Sequence, residues 1–133
     1  MKLTTKSEYS ILALVYLARQ PKGHFVKVDE IVKACDIPKK YLELLLMALR
    51  QNRLIKTRRG KQGGYQLARP AEAISLAEVI RLMDGALAPT ESVSTYFHSD
   101  TPISKEPALL GVFREIRDYI AHKLETLTLQ DLA

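Results

Sequence analysis

The stretch Thr57–Leu67, TRRGKQGGYQL, sets Arg58, Arg59, Lys61 and Gln62 among Gly60, Gly63 and Gly64, three of the six glycines in the chain. Glycine permits a tight turn or a close backbone approach, and the surrounding cations address an anion. Two chemistries fit: a loop that cradles a free phosphate, or a hairpin tip that lies against nucleic acid. The first has a pattern, Gly-x4-Gly-Lys-Ser/Thr, that this sequence lacks.

A second set of polar residues precedes the first. In KKYLELLLMALRQN, Leu42, Leu45, Leu46 and Leu49 fall at i, i+3, i+4 and i+7, the core stripe of a helix. The opposite face presents Lys39, Lys40, Glu43, Met47 and Arg50, with the lysines and the glutamate at its N-terminal end, the end that usually meets base edges. A charged face is usually only solvated; here Glu43 has two readings. It reads a base, accepting from cytosine N4, or it pairs with Lys39 four residues earlier and carries no sequence information. For an enzyme there is no nucleophile–base pair, no paired acids in apolar context and no cofactor motif.

Charge distribution favours a polyanion. The net charge is +5, but residues 1–70 carry 15 Lys and Arg against 5 Asp and Glu, or +10, whereas residues 71–133 carry 5 against 10, or −5. A basic half of this size binds phosphates through counterion release whatever the base sequence. At 133 residues the chain makes about one domain. No apolar run approaches the roughly 20 residues that span a bilayer, and MKLTTKSEYS lacks a signal peptide's apolar stretch, so the expectation is a cytoplasmic protein without membrane contact. Cys35 is the only cysteine, which excludes an internal disulfide and a site built of several thiolates.

The elements around these residues follow from periodicity. Tyr9, Leu12, Ala13, Tyr16 and Leu17, with Ile11, Leu14 and Val15, predict a helix from Thr5 to Arg19 buried on more than one side. Val28, Ile31, Val32 and Cys35 predict a short helix with Asp29 and Glu30 in its first turn, and place Cys35 on the apolar face as a packed small residue. Two helices joined by about three residues make a helix-turn-helix. The runs LIKTR (54–58) and YQLA (65–68) then predict a hairpin around RGKQGG, which is the layout of a winged helix. Gly60, Gly63 and Gly64 let the wing tip turn and approach the sugar-phosphate edge, while Arg58, Arg59, Lys61 and Gln62 reach phosphates or a minor groove.

Ser75 to Glu78, SLAE, is a capping box opening a helix ended by Gly85. Residues 86–107 hold three prolines and many Ser and Thr, a long irregular connection. Glu91, His98, Asp100 and Glu106 lie there, but polar loop residues are mostly solvated, and no metal is expected. The stripe Leu109, Val112, Phe113, Ile116, Ile120, Leu124 and Leu127 predicts a long terminal helix that needs a partner, and a second copy supplies one because a two-fold dimer offers two recognition helices to a palindromic site. Folding back on its own domain is the alternative.

The segments MKLTTKSEYSILALVYLA, IPKKYLELLLMALRQNRLIKTRRGKQGGYQLARP, SLAEVIRLMDG and TLTLQDLA together resemble the Rrf2 family of bacterial winged-helix regulators over nearly the whole chain. The resemblance implies a homodimer joined by the long C-terminal helix, with recognition helices in major grooves and wings in flanking minor grooves of a palindromic operator. By position, Tyr41 and Glu43 match recognition-helix residues and Arg59 matches the wing arginine. Cluster-binding members place three cysteines in the loop corresponding to residues 86–107, and this loop has none, so no iron–sulfur cluster is expected. That aligns the chain with the cluster-free branch.

The expected fold is thus mainly α with a small β-hairpin, a winged helix-turn-helix plus a long dimerisation helix. Residues 1–85 form the DNA-binding domain, 86–107 a loop at the family's effector position, and 108–133 the dimerisation helix and tail, with Leu109, Val112, Phe113, Ile116, Ile120 and Leu124 at the dimer interface. The expected function is sequence-specific repression through double-stranded DNA, with an unidentified protein or small-molecule effector. The alternative is a winged-helix protein-interaction module that has lost direct DNA binding.

Overall fold

A computed structural model describes residues 1–133. Helix α1, Thr5–Ala18, starts at Thr4, whose side chain accepts from the Ser7 amide, and it buries Ala13, Leu14, Val15 and Leu17 at the centre of the molecule. Helix α2, Val28–Cys35, ends at Asp36, which adopts the left-handed conformation (φ 53°) and reverses the chain. Helix α3, Lys39–Gln51, begins after Pro38 and buries Leu42, Leu45, Leu46 and Leu49, the expected stripe.

Arg53, at φ 61°, turns α3 into strand β1, Ile55–Arg58, which pairs antiparallel with β2, Gly64–Leu67, in the register Ile55↔Leu67 to Arg58↔Gly64. The segment before α2 joins this hairpin through Val26, which exchanges both backbone hydrogen bonds with Tyr65 at 2.7 Å. Helix α4, Leu76–Asp84, is capped by Ser75, whose hydroxyl accepts from the Glu78 amide at 3.2 Å. Only that half of the capping box forms, because the Glu78 carboxylate pairs with Arg69 at 2.5 Å instead.

After Gly85 (φ 91°) the chain makes two 3-10 turns, Glu91–Val93 and Pro102–Lys105, before helix α5, Pro107–Thr126, and the short helix α6, Leu129–Leu132. The irregular segment packs on α5: Ala88, Val93 and Leu110 form a small buried cluster, and Arg117 donates to the Val93 carbonyl at 2.8 Å. The main core joins α1, α2, α3, the hairpin, α4 and α6.

The apolar residues of α5, expected to share one dimer face, divide between two. Leu109, Val112 and Ile116 are exposed, together with Tyr119. Phe113, Ile120 and Leu124 are half-buried against their own chain: Ile120 and Leu124 lie on Ala77, Ile80 and Leu87, and Phe113 on the cluster of Ala88 and Val93. The cause is the breadth of the stripe, wide enough for α4 and the 86–107 segment to cover one flank and leave the other open.

Candidate nucleic-acid interface

Helix α3 presents its polar side outward because its leucine side is held by α1, α2 and β1. Lys40, Glu43 and Arg50 are exposed and make no ion pair within the chain. Lys39 is different: its ammonium lies 2.9 Å from Asp29 on α2, and the hydrogen bond and charge of that carboxylate push its pKa up. Glu43 adds its charge to the same rise but lies beyond ion-pair distance of Lys39, whose direct partner is Asp29. Tyr41 sits on the flank of α3, half-buried, with its ring edge-on to Tyr9 at 5.6 Å between centroids. Pro38 supplies no side-chain cap, so the first-turn amides of α3 remain open, with the positive end of the helix dipole beside Lys39 and Lys40.

The glycines of the wing do work other than that expected of two of them. A Cβ on Gly63 would stand 2.0 Å from the Arg58 carbonyl oxygen, and one on Gly64 would stand 2.4 Å from that of Val26. At these two positions a close approach that demands glycine is to the protein's own backbone, where the hairpin closes and docks on Val26. Gly60, with φ 97° and nothing within 4 Å, is the glycine of the open tip.

The cations of the wing divide in the same way. Arg58 stacks over the Phe25 ring at 4.3 Å and donates to the Gln62 carbonyl at 2.7 Å, so it helps to fold the wing while its side chain stays exposed. Lys27 donates to the Gly60 carbonyl at 2.8 Å and pins the tip from outside. Arg59, Lys61 and the Gln62 side chain project from the tip, exposed and without a hydrogen bond from their side-chain ends. Periodicity gave no sign of Lys27 as a wing support, since its partner is a backbone carbonyl 33 residues away.

The remaining candidates lie elsewhere. Cys35 is half-buried with its sulfur 3.7 Å from the Leu12 carbonyl, and burial pushes its thiol pKa up, away from the reactive thiolate. Glu91, His98, Asp100 and Glu106 do not converge: no three His, Cys, Asp or Glu side chains come together in a group that could hold a metal ion. No helix is long and apolar enough to cross a membrane.

A helix-turn-helix followed by a hairpin wing, with the exposed cations of both on the basic half of the chain, defines a winged-helix DNA-binding transcriptional regulator. The family model Rrf2, described as an iron-dependent transcriptional regulator, matches residues 3–133. The chain is 40% identical over its full length to an HTH-type transcriptional regulator assigned in Mycobacterium tuberculosis, covering 81% of that protein. It is 31% identical over its full length to the HTH-type regulator CymR of Bacillus subtilis, covering 90% of it. Among solved structures, CymR of B. subtilis, named there the global cysteine regulator, superposes with a TM-score of 0.87 at 29% identity, over 100% of this chain and 96% of that one. The protein belongs to the Rrf2 family and is a DNA-binding regulator rather than an enzyme. The chain carries one cysteine, half-buried, and none between residues 86 and 107.

Proposed function

We propose that the protein represses transcription as a metal-free homodimer on a palindromic operator, with Lys39, Lys40, Tyr41, Glu43 and Arg50 of α3 at the major groove and Arg59, Lys61 and Gln62 of the wing at the flanking backbone. The observation that carries this is the unpaired state of Lys40, Glu43, Arg50, Arg59 and Lys61, five exposed charges on adjoining elements that no group of the chain satisfies. The Glu43 carboxylate on such a face is repelled by phosphates unless it accepts a hydrogen bond from a base, and cytosine N4 supplies one.

The exposed side of α5, with Leu109, Val112, Ile116 and Tyr119, continues into a cavity of about 330 Å³ lined by Met1, Leu3, Tyr119, Ile120, Lys123 and Leu124. A second copy covers this apolar surface in the dimer. The segment 86–107, with Tyr96 and Phe97 exposed, faces a protein or small-molecule effector.

Selection from a randomised duplex pool tests the function. Wild type should enrich a palindrome, and Glu43→Ala should relax preference at one base pair per half-site by about 1–3 kcal/mol while keeping its non-specific affinity. An unchanged preference in the variant would count against base reading by Glu43, and failure of wild type to enrich any sequence would favour the protein-interaction alternative.

A further inference from the structure

Two large apolar side chains stand among the cations of α3. Leu44 is 62% exposed and Met47 56% exposed. Both lie on the side of the helix away from Leu42, Leu46 and Leu49, between Lys40 and Gln51, and neither belongs to a core cluster. On a surface that binds phosphate they neutralise nothing. In a major groove the one apolar group that base pairs present is the C5-methyl of thymine. We propose that Leu44 and Met47 read thymine methyl groups, so that each operator half-site carries T·A pairs at neighbouring steps beside the pair read by Glu43. This rests on the DNA-binding function proposed above.

Residues three apart on a helix are separated by about 4.5 Å of rise, against about 3.4 Å between successive bases, so the two side chains reach thymines one or two steps apart. A G·C pair at those positions offers only hydrogen-bonding groups and a bare C5–H. Leucine or methionine pressed against it would strip water from those groups and return no bond, so discrimination has a gain on thymine and a penalty on its competitors. Charge fixes the occupant. Lys40 and Arg50 share the polar side with the two apolar residues, and an apolar protein partner seated there would have to bury these cations with the single carboxylate of Glu43 to offset them.

The test replaces each thymine of a selected palindromic duplex in turn, in both half-sites together, with deoxyuridine, which deletes the methyl and nothing else. Burial of one methyl corresponds to about a fourfold change in affinity, so wild type should lose roughly fifteenfold for a symmetric pair at the positions facing Leu44 and Met47. Leu44→Ala and Met47→Ala, both at exposed positions and checked for folding by circular dichroism, should each become indifferent to the methyl at one of those positions. Equal binding of wild type to thymine and deoxyuridine duplexes at every position, with the selected duplex still outcompeting random DNA, overturns methyl reading and leaves DNA binding standing. Variants that keep the full wild-type sensitivity overturn it as well. A pool that yields no preferred duplex removes the function on which the inference rests, and the inference with it.

Discussion

Gly64→Ala and Gly60→Ala add the same methyl group to the same hairpin and should differ sharply. At Gly64 the new Cβ would meet the Val26 carbonyl oxygen at 2.4 Å, its carbon at 2.6 Å and the Lys27 nitrogen at 3.1 Å, all backbone atoms that cannot rotate away. Relief requires the Val26–Tyr65 bridge to open, and its two hydrogen bonds of 2.7 Å each contribute about 0.5–1.5 kcal/mol. Val26 is itself 1% exposed, so moving it disturbs the core as well. With about 1 kcal/mol for an alanine held at φ 145°, Gly64→Ala should cost about 2–4 kcal/mol. At Gly60 nothing lies within 4 Å, and only the positive φ counts, about 1 kcal/mol. Urea titration reads the contrast: with a slope of about 1–3 kcal/mol/M, the Gly64 variant should lose roughly 1–2 M in midpoint and the Gly60 variant well under 1 M. A Gly64 variant as stable as wild type, or a Gly60 variant that is the weaker of the two, would refute the assignment of Gly64 to internal contact.

The wing arginines should separate by assay: Arg59→Ala weakens operator binding by about 1–3 kcal/mol with an unchanged melting curve, whereas Arg58→Ala lowers stability too, by about 1–3 kcal/mol, through the lost Phe25 stack and Gln62 hydrogen bond. Calorimetry alongside gel-shift titration checks both, and a fully stable Arg58→Ala would contradict the division. Ile116→Asp should give a folded monomer in light scattering, whereas Ile120→Asp should lose the fold because Ile120 packs on Ala77 and Ile80; a folded dimer from Ile116→Asp refutes an interface through that side of α5. Asp84 has a lowered pKa: burial opposes its charge, but the hydrogen bonds from the Thr4 amide, at 3.0 Å, and from the Thr4 hydroxyl outweigh it. A lowered folded-state pKa contributes stability above the unfolded value, about pH 4, which is lost as pH falls through the folded one, so Asp84→Asn should be less stable than wild type at pH 6 and converge with it in acid.

The sequence made the element types legible because each is a local pattern. The leucine stripe of α3 and the alternation on either side of the wing depend on neighbours within a few residues, and the strands fall within a residue of where they were expected. What covers a face is a different kind of fact. The stripe of α5 says that Val112 and Ile120 share a broad apolar flank, yet only the placing of α4 and of Leu87 decides that Ile120 is covered from within and Val112 is not. Glycine behaves alike: the pattern marks a close approach in the wing and points to a sugar-phosphate edge, while at Gly64 a neighbour within the chain is Val26, far upstream, which no local pattern indicates. Leu44 was hidden by its surroundings, since in LELLLM a leucine reads as core unless its angle on the helix is worked out.

Dimerisation through α5 can set the spacing of two recognition helices only if α5 is rigidly joined to the winged helix, and its C-terminal half is so joined, with Ile120 and Leu124 packed on Ala77 and Ile80 of α4. Near its start α5 holds the connecting segment instead: Leu110 sits in the cluster with Ala88 and Val93, and Arg117 donates to the Val93 carbonyl at 2.8 Å. Near its end, Glu125 pairs with Arg81 of α4 at 2.6 Å. Beyond the helix the chain re-enters the main core: the Leu127 carbonyl accepts from the Leu76 amide at 2.9 Å, the Leu129 amide donates to the Ile74 carbonyl at 3.0 Å, and Leu129 is fully buried. The tail is therefore part of the winged-helix core as well as the continuation of α5. Two half-sites one helical turn apart require centres about 34–36 Å from each other, and a helix tied to its domain through its C-terminal half and the tail beyond it transmits that distance where a flexible linker would average it away.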